Sequence, residues 1–386
     1  MAPRAAVLAC GRRFFMEKAQ LYALYVFIAG LLVTYITAPY VIRFAVKKGI
    51  VDKPGPRRVN VKPMPRMGGP SMFFGMIIVL GLASIWYDNL MWIAVAMTVV
   101  FLTGAIDDMR GLGPLPKLAG QFIAAGIIFK AGIRISYIDL PVLGIGYYYF
   151  PVWLSAIITI FWIVGITNTL NLIDGLDGLA AGITCIAAIT FFLVALQKGQ
   201  EGSAVLAAGL VGVTAGFLRW NFYPAKTFMG DSGALTLGFL ISVLAVNGAF
   251  KSATALTYLL PVLALGVPIF DTSFAIVRRL SKGQPVMSTP DKGHLHHRLL
   301  AAGLLHRNAV IIIYIMTLCL SIIALLIIKA YLLALYLVAA IAGLVILLVV
   351  LGKVRHSRKV LGPLAPGRRD APPEDAAEEN GNPTVE

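Results

Sequence analysis

The sequence is short of charge and of cysteine. Only 13% of its 386 residues are Asp, Glu, Lys or Arg, about half the share of an ordinary soluble domain. Its 3 cysteines, Cys10, Cys185 and Cys319, are scattered and show no CxxC spacing, which excludes a disulfide framework and a cysteine-based metal site. The charge that is present leans one way: 33 Lys and Arg stand against 18 Asp and Glu, for a formal net charge of +15. Apolar residues fill the gap, at 59% of the chain. Val310–Ile328 and Tyr331–Leu351 contain no charged residue, and only Lys329 interrupts them. Runs of about 20 apolar residues have the length of a membrane span. A soluble enzyme, a disordered protein and a disulfide scaffold are therefore excluded. In a membrane protein the basic excess reports topology rather than nucleic acid.

Apolar runs between charged or Pro/Gly-rich breaks predict an all-α, polytopic bundle of about 11 transmembrane helices. They cover 21–42, 69–87, 91–106, 115–133, 151–168, 179–197, 203–218, 233–249, 257–277, 308–328 and 332–352. Helices are expected because lipid offers the backbone no hydrogen-bond partners. The domain plan is an N-terminal segment 1–20, a membrane body 21–352 and a tail 353–386. The tail is rich in Pro, Ala and Glu without apolar periodicity and is predicted to be disordered. The 135–150 loop, with Leu140-Pro141 and the aromatic run Tyr147–Phe150, reads as a short extended excursion in the outer headgroup belt. Val7–Cys10 loosely resembles a lipoprotein cleavage box, but the apolar stretch before it is too short for a signal peptide.

Lysine and arginine set the orientation. Eight basic residues fall within 43–67, six within 278–307 and six in the tail, joined by Arg110, Lys117, Arg219 and Lys226. The opposite loops hold only Lys130, Arg134, Lys198, Lys251 and Lys329. The richer side is predicted to be cytoplasmic, which puts the C-terminus inside and the N-terminus outside. Arg4, Arg12, Arg13 and Lys18 conflict with that placement; translation starting at Met16 would remove three of the four.

Acidic residues locate the chemistry. Asp52, Asp107, Asp108, Asp174, Asp177, Asp231, Asp271 and Asp291 all fall on or near the basic side, where topology gives no reason for carboxylates. Short carboxylates among cations suit Mg²⁺ shared with phosphate oxygens. Asp107-Asp108 ends the third span and precedes Lys117. A single aspartate there would be a helix cap, but adjacent carboxylates favour a bound cation. Asn168, Asn171 and Asp174 recur at three-residue spacing and so share a helical face, followed by the turn-forming Asp174-Gly and Asp177-Gly pairs. Asp231 lies in Phe228-Met-Gly-Asp-Ser-Gly233 at the start of the eighth span, where it could cap the helix beside N–H groups open to phosphate. His294, His296, His297 and Arg298 form a fourth group. Without a nearby cysteine they read as pyrophosphate contacts rather than a zinc site. Asp271, two turns before Arg278-Arg279 inside the ninth span, is either functional or paired with a neighbouring helix.

Together these motifs resemble the polyprenyl-phosphate N-acetylhexosamine-1-phosphate transferases, in the bacterial undecaprenyl-phosphate GlcNAc-1-phosphate transferase branch. The resemblance spans about 21–350 and implies a bundle of ten or eleven helices with the active site on the cytoplasmic face of the plasma membrane. It implies that Asp107, Asp108, Lys117 and Asp231 are catalytic and that Asp231, with Asp108, holds Mg²⁺ (or Mn²⁺). It implies substrate contacts from Asn168, Asn171, Asp174, Asp177, Phe228, His294, His296, His297 and Arg298, with Phe228 against uracil. Asp52-Lys-Pro through Pro63-Met-Pro65-Arg66-Met-Gly68-Gly69 also matches, although Asn60 stands where histidine is common. The implied reaction is attack of undecaprenyl phosphate on the β-phosphate of a UDP-N-acetylhexosamine, releasing UMP, as the first membrane step of a cell-envelope glycan such as teichoic acid or O-antigen. Partners would then be those two substrates and membrane lipid, with a homodimer as the assembly considered and no nucleic acid. Arg298-Leu299 after the histidines favours this branch over the phospho-MurNAc-pentapeptide transferases. The rival from another class is a secondary transporter of an anionic solute, which would place its polar groups near the midplane on broken helices.

Overall fold

The computed structural model describes residues 2–52, 63–84, 89–139, 147–248, 255–285, 293–330, 333–335 and 337–339. Asn60, Asp291, Leu140-Pro141 and the tail 353–386 lie outside them, and the run 332–352 is described only in part. The chain divides into two compact units, Met1–Ala334 and Leu335–Glu386. Of the second, Leu335 and residues 337–339 are described, and they are helical.

The first unit is built from helices: α1 (Ala2–Lys47), α2 (Gly69–Ala83), α3 (Leu90–Arg110), α4 (Pro114–Lys130), α5 (Val152–Ile173), α6 (Leu179–Gln197), α7 (Glu201–Asn221), α8 (Gly230–Asn247), α9 (Ala255–Ala264), α10 (Gly266–Ser281), α11 (Leu295–Ala301) and α12 (His306–Ile327). Two small antiparallel pairs accompany them, β1 (Val51–Asp52) with β2 (Met64–Pro65) and β3 (Tyr137–Asp139) with β4 (Tyr147–Tyr149). Among the described residues, 7 helices are long and apolar enough to cross a membrane: α1 from Gln20, α3, α5, α6, α7, α8 and α12. The protein is a polytopic helical membrane protein.

Each of the first ten predicted runs holds a helix, but the ninth holds two. Pro261 lies inside α9, and Gly266-Val-Pro268 opens α10. Pro268 lacks the N–H that a continuous helix would need and fits only in a first turn, where that donor has no intrahelical partner. The 257–277 run therefore breaks at Leu265, although its composition is that of a single span. Within the 135–150 excursion the described residues include the antiparallel pair β3–β4, with Tyr147, Tyr148 and Tyr149 exposed.

Helix α8 is the axis of the bundle. All residues from Gly230 to Val246 are buried, and the helix packs chiefly against α3 and α5. On its far flank α7 runs between α6 and α1, and α1 also covers α2. Gly104 of α3 lets the two backbones meet, since a Cβ there would collide with the main chain of Asp231 and Ser232. Exposed Leu24, Ile28, Leu32 and Ile36 form a slowly winding apolar stripe along α1, as expected of a helix on the lipid boundary.

Candidate active site

Four chain segments converge on the first turn of α8. The loop ahead of it, Thr227–Met229, is zipped to the segment leading into α2. The Phe228 amide donates to Pro65 O (2.8 Å), and the Gly68 and Gly69 amides donate to Phe228 O and Met229 O (both 2.9 Å). Thr227 Oγ1 also donates to Pro65 O. This pairing brings Arg66 over α8. Gly230 then turns the chain with φ of 72°, in the left-handed region that glycine tolerates. A Cβ on Gly230 would also strike the Asp108 carboxylate.

Asp108 reaches the start of α8 from the end of α3. Its Oδ1 accepts from the Asp231 amide (2.8 Å), and its Oδ2 accepts from the Ser232 amide (3.0 Å) and from Ser232 Oγ (2.6 Å). Its side chain is fully buried. A helix N-terminus leaves its first N–H groups unpaired and carries a partial positive charge. Asp108 satisfies both needs from another helix, so the capping role open to Asp231 in the sequence falls to Asp108. The Asp231 and Ser232 amides are occupied by it rather than open to phosphate.

That arrangement frees the Asp231 carboxylate to point into a ring of donors. Oδ1 accepts from Arg66 Nη2 (2.8 Å), and Oδ2 accepts from Lys117 Nζ (2.6 Å) and Asn171 Nδ2 (3.1 Å). Lys117 Nζ also pairs with Asp107 Oδ2 at 2.8 Å, and Asp107 Oδ1 accepts from the Leu112 amide. Arg66 Nε lies 3.5 Å from Asp108 Oδ1. Carboxylate oxygens of Asp107, Asp108 and Asp231 lie within 4.8 Å of one another. Such a set of hard anionic ligands fits a small divalent cation. Two cations, Arg66 and Lys117, pair with it and offset two of its three negative charges.

The remaining predicted residues surround this centre without touching it. Asp174 is the first residue beyond α5, so it lies past the helical face that Asn168 and Asn171 share. Burial, then the nearby Asp231 carboxylate, push its pKa up to about 7, against a weaker opposing pull from Arg66. Asp177 ties two loops together: its Oδ2 accepts from the Ala225 amide (3.0 Å), and its own amide donates to His306 Nε2 (2.9 Å). Asn168 is bound to Gln121 of α4. Phe228 is half-buried beside the zipped loop.

The histidine stretch forms α11 and its N-cap. Asp271 of α10 meets His294 Nδ1 at 2.8 Å through Oδ2 and accepts from the Leu295 amide through Oδ1 at 2.7 Å. Its partner across the helices is thus the histidine motif itself. His296 packs against Gly175, where a Cβ would overlap its ring, which docks α11 on the Asp174–Gly178 turn. His296 Nδ1 is buried without a hydrogen-bond partner among the described residues. Burial, then His297 and His294, press the His296 pKa down to about 4. Arg298 is exposed.

Arg66 was not singled out from the sequence as a site residue. It counted as one basic residue of a topogenic loop, and only its place in the Pro63–Gly69 stretch hinted at more. Ser232 carries no signal beyond lying inside the Phe228–Gly233 motif, and Gln121 none beyond the resemblance of the segment from Asp107-Asp108 through Pro114 and Lys117 to the family's aspartate-rich catalytic element.

Buried carboxylates, two paired cations and amides gathered at one end of a membrane bundle define an enzyme that handles anionic groups. Comparison with known proteins agrees. A model of glycosyl transferase family 4 matches residues 90–249, a stretch from α3 through α8 that includes every member of the cluster except Arg66. A probable undecaprenyl-phosphate N-acetylglucosaminyl 1-phosphate transferase of Bacillus subtilis is 41% identical over 305 residues, 78% of this chain and 83% of its own. A decaprenyl-phosphate N-acetylglucosaminephosphotransferase of Mycolicibacterium smegmatis is 36% identical over 312 residues, 74% and 77% of the two chains. An undecaprenyl-phosphate alpha-N-acetylglucosaminyl 1-phosphate transferase of Salmonella typhi is 27% identical over 281 residues, 70% and 74%. The chain belongs to glycosyl transferase family 4, among the polyprenyl-phosphate N-acetylhexosamine-1-phosphate transferases.

Proposed function

We propose that this enzyme transfers GlcNAc-1-phosphate from UDP-GlcNAc to undecaprenyl phosphate. An oxygen of the lipid phosphate attacks the β-phosphorus of the nucleotide sugar. The bond from that phosphorus to the bridging oxygen breaks, and UMP leaves with the electron pair. The observation that carries this reading is the convergence of Arg66, Lys117 and Asn171 on Asp231, with Asp107 and Asp108 alongside. Two anionic reactants must be held together, so positioning and charge neutralisation dominate the catalysis.

Asp231 and Asp107, with Asp108 behind them, would hold Mg²⁺ or Mn²⁺. When bound, such an ion offsets phosphate charge and acts as a Lewis acid on the transferring group. Lys117 is tied to Asp107 as well as Asp231, so it stays between the carboxylates and faces the spreading negative charge. Arg66 has a single short bond, to Asp231, and is the group able to turn toward a phosphate. A phosphate monoester with a second pKa of about 6 is already mostly ionised at neutral pH. Asp107 therefore serves in positioning more than as a base. His296, with its unpaired Nδ1, and the exposed Arg298 approach the donor from α11, while Asn171, Asp174, Asp177 and Phe228 line the nucleotide side.

The membrane body 21–352 is the catalytic domain in this reading. The acidic site faces the cytoplasm of the plasma membrane, and 353–386 is a cytoplasmic tail. The gathering of the acidic residues at helix ends, not mid-span, supports a transferase over a transporter. The test is direct: purified protein should release UMP from UDP-GlcNAc only when polyprenyl phosphate and Mg²⁺ are both present. Turnover that survives Asp231→Ala at saturating Mg²⁺ would remove the metal assignment, and solute uptake by vesicles without product would restore the transporter.

A further inference from the structure

We propose that the Gln121–Asn168 amide pair is a positioning device that locks α4 against α5 so that Lys117 and Asn171 reach the same oxygen of Asp231. This rests on the transferase reading above for its catalytic consequence. Gln121 Nε2 donates to Asn168 Oδ1 (3.2 Å), and Asn168 Nδ2 donates back to Gln121 Oε1 (2.5 Å) and to Val164 O (2.8 Å). Both N–H groups and the oxygen of Asn168 are thereby engaged, so its amide is turned toward protein and not toward a ligand. Gln121 is 1% exposed.

Spacing gives the pair its purpose. Gln121 lies four residues after Lys117 on α4, and Asn168 three residues before Asn171 on α5, so each pair shares a helix face. The same two faces therefore make two rungs. One is Gln121 to Asn168; the next is Lys117 and Asn171 meeting at Asp231 Oδ2 at 2.6 and 3.1 Å. Helix α4 needs such a tie. It packs chiefly against α3 and α5, while Leu115, Phe122 and Ile123 are exposed. Lys117 ties the start of α4 to Asp107 of α3, and the reciprocal amide pair adds a direct tie to α5 that is specific to register, because sliding by one residue loses both bonds. Asn168 and Gln121 are positioning residues acting through Asn171 and Lys117.

The near-isosteric variants Gln121→Met and Asn168→Leu test this in the full-length enzyme with UDP-GlcNAc, polyprenyl phosphate and Mg²⁺. Each should lower kcat about 10- to 100-fold with the donor KM changed by less than about threefold. The swapped pair Gln121→Asn/Asn168→Gln should recover most of the loss. Wild-type kcat in the single variants would overturn the proposal. So would a raised KM at unchanged kcat, the mark of direct donor contact by Asn168, or a folded swapped variant as slow as the singles. A second readout needs no turnover: cross-linking of a Lys117→Cys/Asn171→Cys pair by a short bifunctional reagent should slow about tenfold when Asn168→Leu is added, if helix register is lost. An unchanged cross-linking rate would equally overturn the proposal. Absence of UMP release by the wild-type enzyme would instead sink the transferase reading, leaving the cross-linking to judge the amide pair.

Discussion

Asp174 opens the turn that His296 packs against at Gly175, and the two titrate away from their ordinary values in opposite directions. Burial, then the Asp231 carboxylate, hold Asp174 neutral up to about pH 7. Above that it adds a negative charge beside the acidic cluster. Mn²⁺ affinity, read by electron paramagnetic resonance on the solubilised protein, should therefore rise severalfold between about pH 6 and about pH 8, and Asp174→Asn should flatten the rise. For His296 the folded-state pKa of about 4 lies below the ordinary 6.5. Its contribution to stability is complete above 6.5 and is lost as pH falls toward 4. His296→Gln should accordingly melt with a weaker pH dependence than wild type across that window. Asp174 works in the opposite sense there, so the difference between variant and wild type is the quantity to read. Gly230→Ala would combine a left-handed φ with a clash against Asp108 and should cost about 100-fold in kcat by moving Asp231. Asp107, Asp108 and Asp231, with Lys117 close after the first two, were legible as a candidate site because carboxylates at a basic membrane edge have few other uses. Arg66 was not, since its bond to Asp231 spans 165 residues, and its loop already had a reason to be basic.

At the level of elements, a cap supplied from outside sets the geometry of the site. Asp108 ends α3 and caps α8, so the two adjacent aspartates have separate work. Asp108 holds the helix that presents Asp231, and Asp107 holds Lys117. Asp108→Asn removes an acceptor facing buried donors and should destabilise the protein by about 1–3 kcal/mol. Asp107→Asn, whose partners include the half-buried Lys117, should shift the melting temperature less. Thermal unfolding in detergent separates the two. Periodicity and composition announced helices in ten runs because lipid leaves the backbone no alternative. They could not announce the break at Leu265, where composition stays apolar and only Pro261 and Pro268 mark it. Nor could they show that Asp271 belongs with His294, since that depends on how α10 and α11 meet.

Across the whole molecule, the basic excess of the sequence predicts which side of the membrane the acidic site faces, and of that excess Arg66 and Lys117 are in direct contact with the site. Impermeant maleimide on intact cells tests that polarity. In a background with Cys10, Cys185 and Cys319 changed to serine, Tyr148→Cys on the β3–β4 pair should label from outside, and Lys282→Cys after α10 should label only after permeabilisation. Reversed labelling would invert the assigned orientation. The enclosure of α8 also bears on how the protein is made. Of the seven span-length helices it is the least apolar and the most enclosed, and its first turn depends on a carboxylate from α3. A segment of that kind partitions poorly into lipid by itself. It should therefore linger at the insertion machinery until α3 and α5 are already in place to receive it. The step that seats α8 is then the step that assembles the acidic site, so a chain arrested before α8 docks would be both unfinished and inactive.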